Sequence, residues 1–292
     1  MAELSHDLEV WSKNSTNEIN VITEKSSSLL INFNTLAPSL KLKYIHDELI
    51  TRAKQNGIAM VGINNSAGIH TLSFWTYELT KRNMIGLCFF NGGPLAVIPH
   101  NGTKGLFGTN PMSYAIPTEN EPILIDMATS EIPYFELKES KRDKKDLKQF
   151  AAVDDNGEFT TDPNLSMNDD GISNLTPMGA GYKGYSIVLL LEILTGSLVV
   201  SLLSNEMDPD YIPSEHGGLL IAIDIESFTE IGKFKKSVSG LCDVIRSQKS
   251  KAGEEIYIPG DISYKKIKAV FDSSEIEVEQ NIIDSLNNLI NE

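Results

Sequence analysis

Three stretches of this sequence carry residue types whose spacing could do chemistry. Gly179-Ala180-Gly181-Tyr182-Lys183-Gly184 is a G-x-G-x-x-G run leading into an apolar segment. Its glycines would let backbone N–H groups approach a ligand at a helix start, where the dipole favours negative charge, and Lys183 adds a full positive charge. Phosphate or carboxylate binding is one expectation; a plain tight turn is the other. A dinucleotide fingerprint is not met, because residues 173–178 read as loop and no βαβ unit follows. The second stretch, Asp126-Met127-Ala128-Thr129-Ser130, comes after Gly108-Thr109-Asn110-Pro111. A carboxylate at a strand end either caps the next segment or binds a ribose or an amide. The third is His70, behind the polar loop Asn64-Asn65-Ser66-Ala67-Gly68-Ile69, between a strand and a helix. Histidine titrates near neutral pH and can exchange a proton with a substrate oxygen; the alternative is a surface residue at a helix start.

Other chemistries find no anchor. The five histidines, His6, His46, His70, His100 and His216, show no metal-ligand spacing, and neither HExxH, CxxC nor G-x-S-x-G occurs. Glu215-His216 beside Asp208 and Asp210 reads as an acidic surface loop. No metal is expected.

The elements that must position these residues follow from hydrophobic period. Leu42, Ile45, Leu49 and Ala53 share one face of a helix over 40–56, stopped by Gly57. Strand 58–63, helix 71–82 and strand 85–90 follow, the order of an α/β chain. Residues 91–111 are loop, then come strands at 112–116 and 123–127. The charge run 138–148 predicts a solvated helix or loop, Asp154-Asp155-Asn156-Gly157 a hairpin turn, 219–224 a buried strand and 234–249 a helix. Residues 279–291 place Ile282, Ile283, Leu286, Leu289 and Ile290 on one helical face, and residues 1–28 predict a polar arm or loose edge.

Composition sets the outer limits. The 292 residues, 41% apolar, suit one large domain or two modest ones. With 25 Lys+Arg against 40 Asp+Glu the formal net charge is −15, which argues against nucleic acid as a partner. Local cations in one cleft can still receive an anionic substrate. Cys88 and Cys242 sit in apolar stretches and predict buried thiols in a reducing compartment. The start lacks the basic and apolar regions of a signal peptide. Residues 185–203 nearly reach membrane-spanning length, but Glu192 in their middle favours a buried helix. A cytoplasmic protein without a membrane partner is expected.

Taken together, these stretches resemble the malate/L-lactate dehydrogenase family, NAD(P)-dependent oxidoreductases without a Rossmann fold that include 2,3-diketogulonate, sulfolactate and ureidoglycolate dehydrogenases. The likeness spans roughly residues 57–260. It runs in order through Gly57-Ile58, Asn65-Ser66, Met84-Ile85-Gly86, Gly108-Thr109-Asn110-Pro111, Asp126-Met127-Ala128-Thr129-Ser130, Asp162-Pro163, Pro177-Met178-Gly179, Tyr182-Lys183-Gly184-Tyr185 and Ile258-Pro259-Gly260-Asp261. No single segment is specific; GTNP, DMATS and YKGY in this order and spacing are.

The resemblance implies an α/β fold with a mixed, mostly antiparallel nucleotide-binding sheet and a helical domain formed from the chain ends. It implies an arm and helix at 1–56 packing with the C-terminal helices, a nucleotide- and substrate-binding domain at 57–228, and a helical part at 229–292 with a cofactor-contacting turn. NAD or NADP contacts fall on Pro122, Ile123, Leu124, Ile125, Asp126, Met127 and Ala128, on Tyr182 and Lys183, and on Gly260, Asp261 and Ile262. The implied reaction moves hydride between the cofactor and C2 of a small 2-hydroxy or 2-oxo acid, in a homodimer. Asp126 would contact cofactor or orient the acid, and His70, or else His6, would carry the proton.

Two departures bear on that activity. The family's Ser-His-Gly motif, with a substrate-binding Arg four residues on, meets Ser5-His6-Asp7 and Val10. Its Asn-Ser-x-His loop aligns Gly68 with the histidine, and a small gap restores His70 to the role. A catalytically impaired nucleotide-binding homologue is therefore the rival expectation, and a start that omits part of the natural chain is a third. Lys104, in the loop before GTNP, is the cation nearest in sequence to replace the arginine.

Overall fold

The computed structural model describes residues 17–69, 71–93, 95–207 and 214–273, with 275, 278, 280, 283, 284 and 287. His6, His70 and most of the expected 279–291 helix lie outside the described residues. In chain order the strands are β1 (Asn20–Glu24), β2 (Ser28–Asn32), β3 (Ile58–Ala67), β4 (Met84–Phe90), β5 (Met112–Ile116), β6 (Ile123–Met127), β7 (Ala152–Val153), β8 (Phe159–Thr160) and β9 (Ser214–Asp224). The helices are α1 (Leu42–Asn56), α2 (Ser73–Thr80), α3 (Tyr134–Asp143), α4 (Pro163–Ser166), α5 (Tyr182–Thr195), α6 (Ile231–Arg246) and α7 (Asp261–Ser273).

Seven strands form one sheet in the order β1-β2-β3-β9-β4-β5-β6. Only β2 and β3 run parallel; the other neighbours are antiparallel, so the sheet is mixed and mostly antiparallel, as expected. Central strands carry apolar residues on both faces because both faces are covered. Ile31, Val61, Ile63, Cys88, Leu220 and Ala222 pack under α1 and α2 with Ile45, Leu49, Trp75 and Leu79. Their alternates Leu30, Met60, Phe89, Leu219 and Ile221 face Leu191 and Leu194 of α5 and Val199 beyond it. A second, smaller core surrounds Val97, Phe107, Leu137, Ala152, Leu175 and Val188 beside the β7–β8 pair.

Most expected elements appear, with sharper limits. Gly57 closes α1 at φ +80, its N–H donating to the Ala53 carbonyl at 2.7 Å, a conformation that suits a residue without Cβ. The charge run begins in α3 and leaves it at Lys144. Asp154 Oδ1 accepts from the N–H groups of Asn156 and Glu158, fixing the predicted hairpin turn.

Three expectations need correction. The 64–67 stretch is strand rather than loop: Asn64 bonds the turn beyond α5, its Nδ2 donating to the carbonyls of Val199 (3.1 Å) and Val200 (2.7 Å), while the Asn65 side chain donates to Asn32 and Ser66 to the His216 carbonyl. Asn65, at φ +49, absorbs the register shift against β9 there. The apolar helix expected over 185–203 stops at Thr195, because Gly196 takes φ −106, ψ −91 and the chain turns back through a short 3-10 segment, Ser197–Val199. Tyr182–Val199 is the one stretch among the described residues long and apolar enough to cross a membrane, and it lies against β4 and β9. Finally, Glu215-His216 lies in β9, with His216 buried, rather than in a surface loop. The loose edge expected over 1–28 holds for its described part: β1 is exposed along its length at the end of the sheet, pairs with β2, and is joined to Arg52 of α1 through Glu24 and the Lys25 carbonyl.

Candidate functional site

Strand β6 is an edge of the large sheet, and both ends of it are decorated with the residues singled out in the sequence. At its start, Leu124 N–H turns away from β5 and donates to the Pro259 carbonyl at 2.9 Å, while the Tyr264 hydroxyl donates to the Pro122 carbonyl at 3.0 Å. Gly260, at φ +108, fits because a Cβ there would come within 3.2 Å of Leu124 N. Asp261 holds the turn: Oδ2 accepts from Ile258 N–H at 2.9 Å and Oδ1 from Arg246 Nη2 at 2.8 Å. The 122–124 and 260–261 segments, distant in sequence, are thereby brought together; Ile262 points to solvent.

Beside this junction lies a cleft of about 1080 Å³, walled by β6, α2, α6 and α7. Its surfaces include Phe74, Tyr77, Leu124, Tyr264 and Phe271, and its floor includes Ser239 and Cys242. Tyr77 and Tyr264 face each other with ring centroids 6.4 Å apart, and burial raises the Tyr264 phenol well above its ordinary pKa. Three lining cations are already paired: Lys81 with Glu78 at 2.6 Å, Arg246 with Asp261 at 2.8 Å and Lys265 with Glu255 at 2.9 Å. Lys268 has no ion-pair partner among the described residues. Nothing in the sequence points to Tyr77 or Tyr264, since a single aromatic on an amphipathic helix reads as packing.

Asp126 comes next along β6 and is exposed. Its Oδ2 accepts from Ser73 N–H at 2.8 Å, so it caps α2 from 53 residues away, a helix whose own N-cap is Leu72 and has no acceptor. The cap expected for the next segment is thereby corrected: the carboxylate caps a helix that precedes the strand in sequence, because the fold lays α2 against β6. By strand alternation the Asp126 N–H and the Leu124 carbonyl also face outward from the sheet edge, where a ligand could bond them.

Beyond β6, residues 129–131 bond to 176–178: Met178 N–H donates to Thr129 O and Glu131 N–H to Thr176 O, each at 2.8 Å. The Gly-rich run follows directly. Gly179 and Ala180 are left-handed and Tyr182 opens α5, but Gly179 N–H is met by the Glu131 carboxylate at 2.5 Å, an internal anion where an external one was expected. Tyr182 and Lys183 are exposed and do not line the cleft, and neither do Met127 and Ala128. Lys104 is likewise exposed and outside the cleft.

Behind these segments lies a polar cluster that sequence reasoning misses. Asn110, fully buried at φ +35, donates to Glu192 Oε2 at 2.6 Å and accepts from Gly92 N–H at 3.1 Å. Its one advance signal is a lone acid inside an apolar helix. Near it, His216 is buried against Phe90, and that burial holds its imidazole down at about 4, well below the usual value. Cys88 is pushed up by burial and then by Asp126, which leaves it an inert core thiol. Among the described residues no cluster of His, Cys, Asp and Glu could hold a metal.

Comparison with known proteins converges on one family. The sequence pattern of malate/L-lactate dehydrogenases matches residues 5–287. A malate/(S)-sulfolactate dehydrogenase of Methanothermus fervidus is 32% identical over 277 residues, covering 94% of this chain and 78% of that protein. A ureidoglycolate dehydrogenase (NAD(+)) of Escherichia coli K12 is 28% identical over 85% of this chain and 71% of its own. The solved sulfolactate dehydrogenase of Methanocaldococcus jannaschii superposes with a TM-score of 0.86 at 25% identity, covering 99% of this chain and 83% of that one. With the motifs, the mixed sheet and these matches in agreement, the chain belongs to the malate/L-lactate dehydrogenase family.

Proposed function

We propose that this protein moves hydride between NAD(H) or NADP(H) and C2 of a small 2-hydroxy or 2-oxo acid. The observation that carries the proposal is the junction of 122–124 with 260–261 beside the cleft, since those are the segments to which the family resemblance assigns cofactor contacts. The residues present suit a dinucleotide. The cleft matches the upper end of small-molecule sites, roughly 300–1,000 Å³. Aromatic and aliphatic walls can cover a planar ring, and the outward Leu124 carbonyl and Asp126 N–H can fix it.

In this proposal Leu124, Asp126 and Asp261 bind and orient the cofactor, and Lys183 serves a phosphate or ribose at the far end. When bound, the nicotinamide supplies or accepts the hydride. His70, or else His6, gives and takes the proton on the substrate oxygen. The buried, free Cys88 and Cys242 support a reducing compartment such as the cytoplasm, and the family resemblance supports a homodimer. The replacement of the motif glycine and arginine by Asp7 and Val10 supports the rival, a cofactor-binding homologue with impaired turnover.

One pair of measurements separates these. Titration of NADH and NADPH fluorescence is expected to give micromolar-order affinity for at least one cofactor, and a screen of 2-oxo acids followed by NAD(P)H absorbance is expected to give turnover. Binding without turnover selects the rival; no binding of either cofactor defeats both.

A further inference from the structure

Glu192 is 4% exposed within the apolar run 187–194 of α5, and no cation pairs with it among the described residues. The groups bonded to its carboxylate are all donors. Ser204 N–H reaches Oε1 at 2.6 Å, while Asn110 Nδ2 at 2.6 Å and the Ser204 hydroxyl at 3.0 Å reach Oε2. From these partners the bonding spreads. The Ser204 oxygen accepts from Gly108 N–H at 2.8 Å, and Asn110 Oδ1 accepts from Gly92 N–H at 3.1 Å. The Asn110 carbonyl accepts from the Thr129 hydroxyl at 3.0 Å, and Thr129 O accepts from Met178 N–H at 2.8 Å. Four segments, at 91–93, 108–111, 128–130 and 177–181, are thus oriented from one carboxylate.

A buried carboxylate without a cation costs several kcal/mol that an apolar side chain of like size would not, so packing alone does not explain it. Polarity does. Both oxygens must accept, and a Gln at this place would turn an NH₂ group against a donor on one side. Rotating the Asn110 amide to relieve that clash would set its NH₂ against Gly92 N–H, passing the fault into the 91–93 loop.

We propose that Glu192 is a positioning residue for the cofactor strip: through Asn110 and Ser204 it sets the register of the GTNP turn, the end of β6 and the entry to the Gly-rich loop. This rests on the cofactor proposal above. The test compares the parent chain with Glu192→Gln, Asn110→Asp and the double variant, reading the Kd for NADH or NADPH together with amide hydrogen exchange at the segments holding Gly92, Gly108 and Met178. Glu192→Gln is expected to raise Kd at least tenfold and to speed exchange at all three segments together, while the Gly57 segment and the far-UV circular dichroism stay unchanged. The double variant restores donor-to-acceptor polarity between the two positions, because the amide introduced at position 192 donates to the carboxylate introduced at position 110, which still accepts from Gly92 N–H; only the long 3.4 Å bond from Asn110 Nδ2 to the Val188 carbonyl is given up. It is expected to recover most of both losses. A Kd within twofold of the parent in Glu192→Gln, or a double variant no better than the single ones, overturns the proposal. Where the parent binds neither cofactor, the cofactor proposal falls, and exchange confined to fewer than three segments overturns the role of Glu192 separately. Where Glu192→Gln does not fold, Ser204→Ala takes its place, with about a threefold rise in Kd and faster exchange at Gly108 expected, and no change in either overturning the role.

Discussion

At the start of β6 the polar groups are charged, paired two by two and wet; beyond its end they are neutral donors gathered round one buried carboxylate. The Arg246 and Asp261 side chains are 43% and 23% exposed and those of Lys265 and Glu255 58% and 61%, whereas Asn110 and Ser204 are fully buried. Exposed pairs are worth little and re-form easily, so the cleft can rearrange around a ligand at small cost. The buried cluster cannot, because each donor moved from Glu192 would be left in a dry interior. The same strand is therefore held rigidly at one end and left adjustable at the other. Substitutions should hurt in that order.

The largest effect belongs to Gly184, in the rigid half. A Cβ there would stand 2.0 Å from the Met178 carbonyl oxygen and 2.9 Å from its carbon, backbone atoms that cannot swing aside. Gly184→Ala is expected to cost about 3 kcal/mol, the upper end of overpacking, read as a lower urea midpoint with unchanged slope. A loss no larger than that of an ordinary surface change would mean that the Gly-rich entry is as adjustable as the cleft.

His216 gives the next effect, through pH. Burial is the main cause that lowers its folded-state pKa from 6.5 to about 4, opposed by a backbone hydrogen bond with Asn91. The unfolded chain takes up the proton below about pH 6.5 and the folded one only near 4, so stability is full above 6.5 and falls as pH drops through that window. Between pH 7 and pH 5 the loss is about 2 kcal/mol. His216→Gln should remove that part of the pH dependence of the urea midpoint; an identical slope in both proteins would place the imidazole in contact with water.

How much of this is legible in the sequence follows the same division. Strands β5 and β6 are readable to the residue, because Pro111 and Pro117 bracket the first and Pro122 opens the second. The junction of 122–124 with 260–261 comes from resemblance; nothing in local period says that a turn some 135 residues later covers a strand edge. Helix α5 reads too long because Gly196 looks like one glycine in an apolar run; that a Cβ there would stand 2.5 Å from the Leu203 side chain and 2.8 Å from the Glu192 carbonyl is visible only once the chain has turned back. Glu192 is visible as an anomaly but reads as evidence about lipid, since the donors that explain it come from residues 110 and 204. Long-range hydrogen bonding leaves no period in the sequence.

Asp126 sits where the two halves meet, and its two roles separate by substitution. Asp126→Ala removes the acceptor for Ser73 N–H and is expected to cost about 1 kcal/mol as a lost helix cap. Asp126→Asn keeps an acceptor, and its urea midpoint should stay close to that of the parent. If the carboxylate also meets the cofactor, Asn should still weaken NADH binding. That split, stability kept and affinity lost, is the expected result. Equal affinity in Asp126→Asn and parent would confine the residue to capping.

The smallest effect is expected in the cleft itself. Arg246→Ala breaks the ion pair with Asp261, yet Asp261 Oδ2 keeps its bond from Ile258 N–H and its side chain already meets water. The loss of stability should be below about 0.5 kcal/mol and should shrink as salt is added, since such exposed pairs are screened. Cofactor affinity is the sharper readout. Removing the arginine leaves Asp261 as a net negative charge at the cleft wall, so an anionic dinucleotide should bind more weakly in low salt and nearly as well as to the parent in high salt. A stability loss of several kcal/mol, independent of salt, would show the Arg246–Asp261 pair to be held as rigidly as the cluster around Glu192, and the contrast between the two ends of β6 would fail.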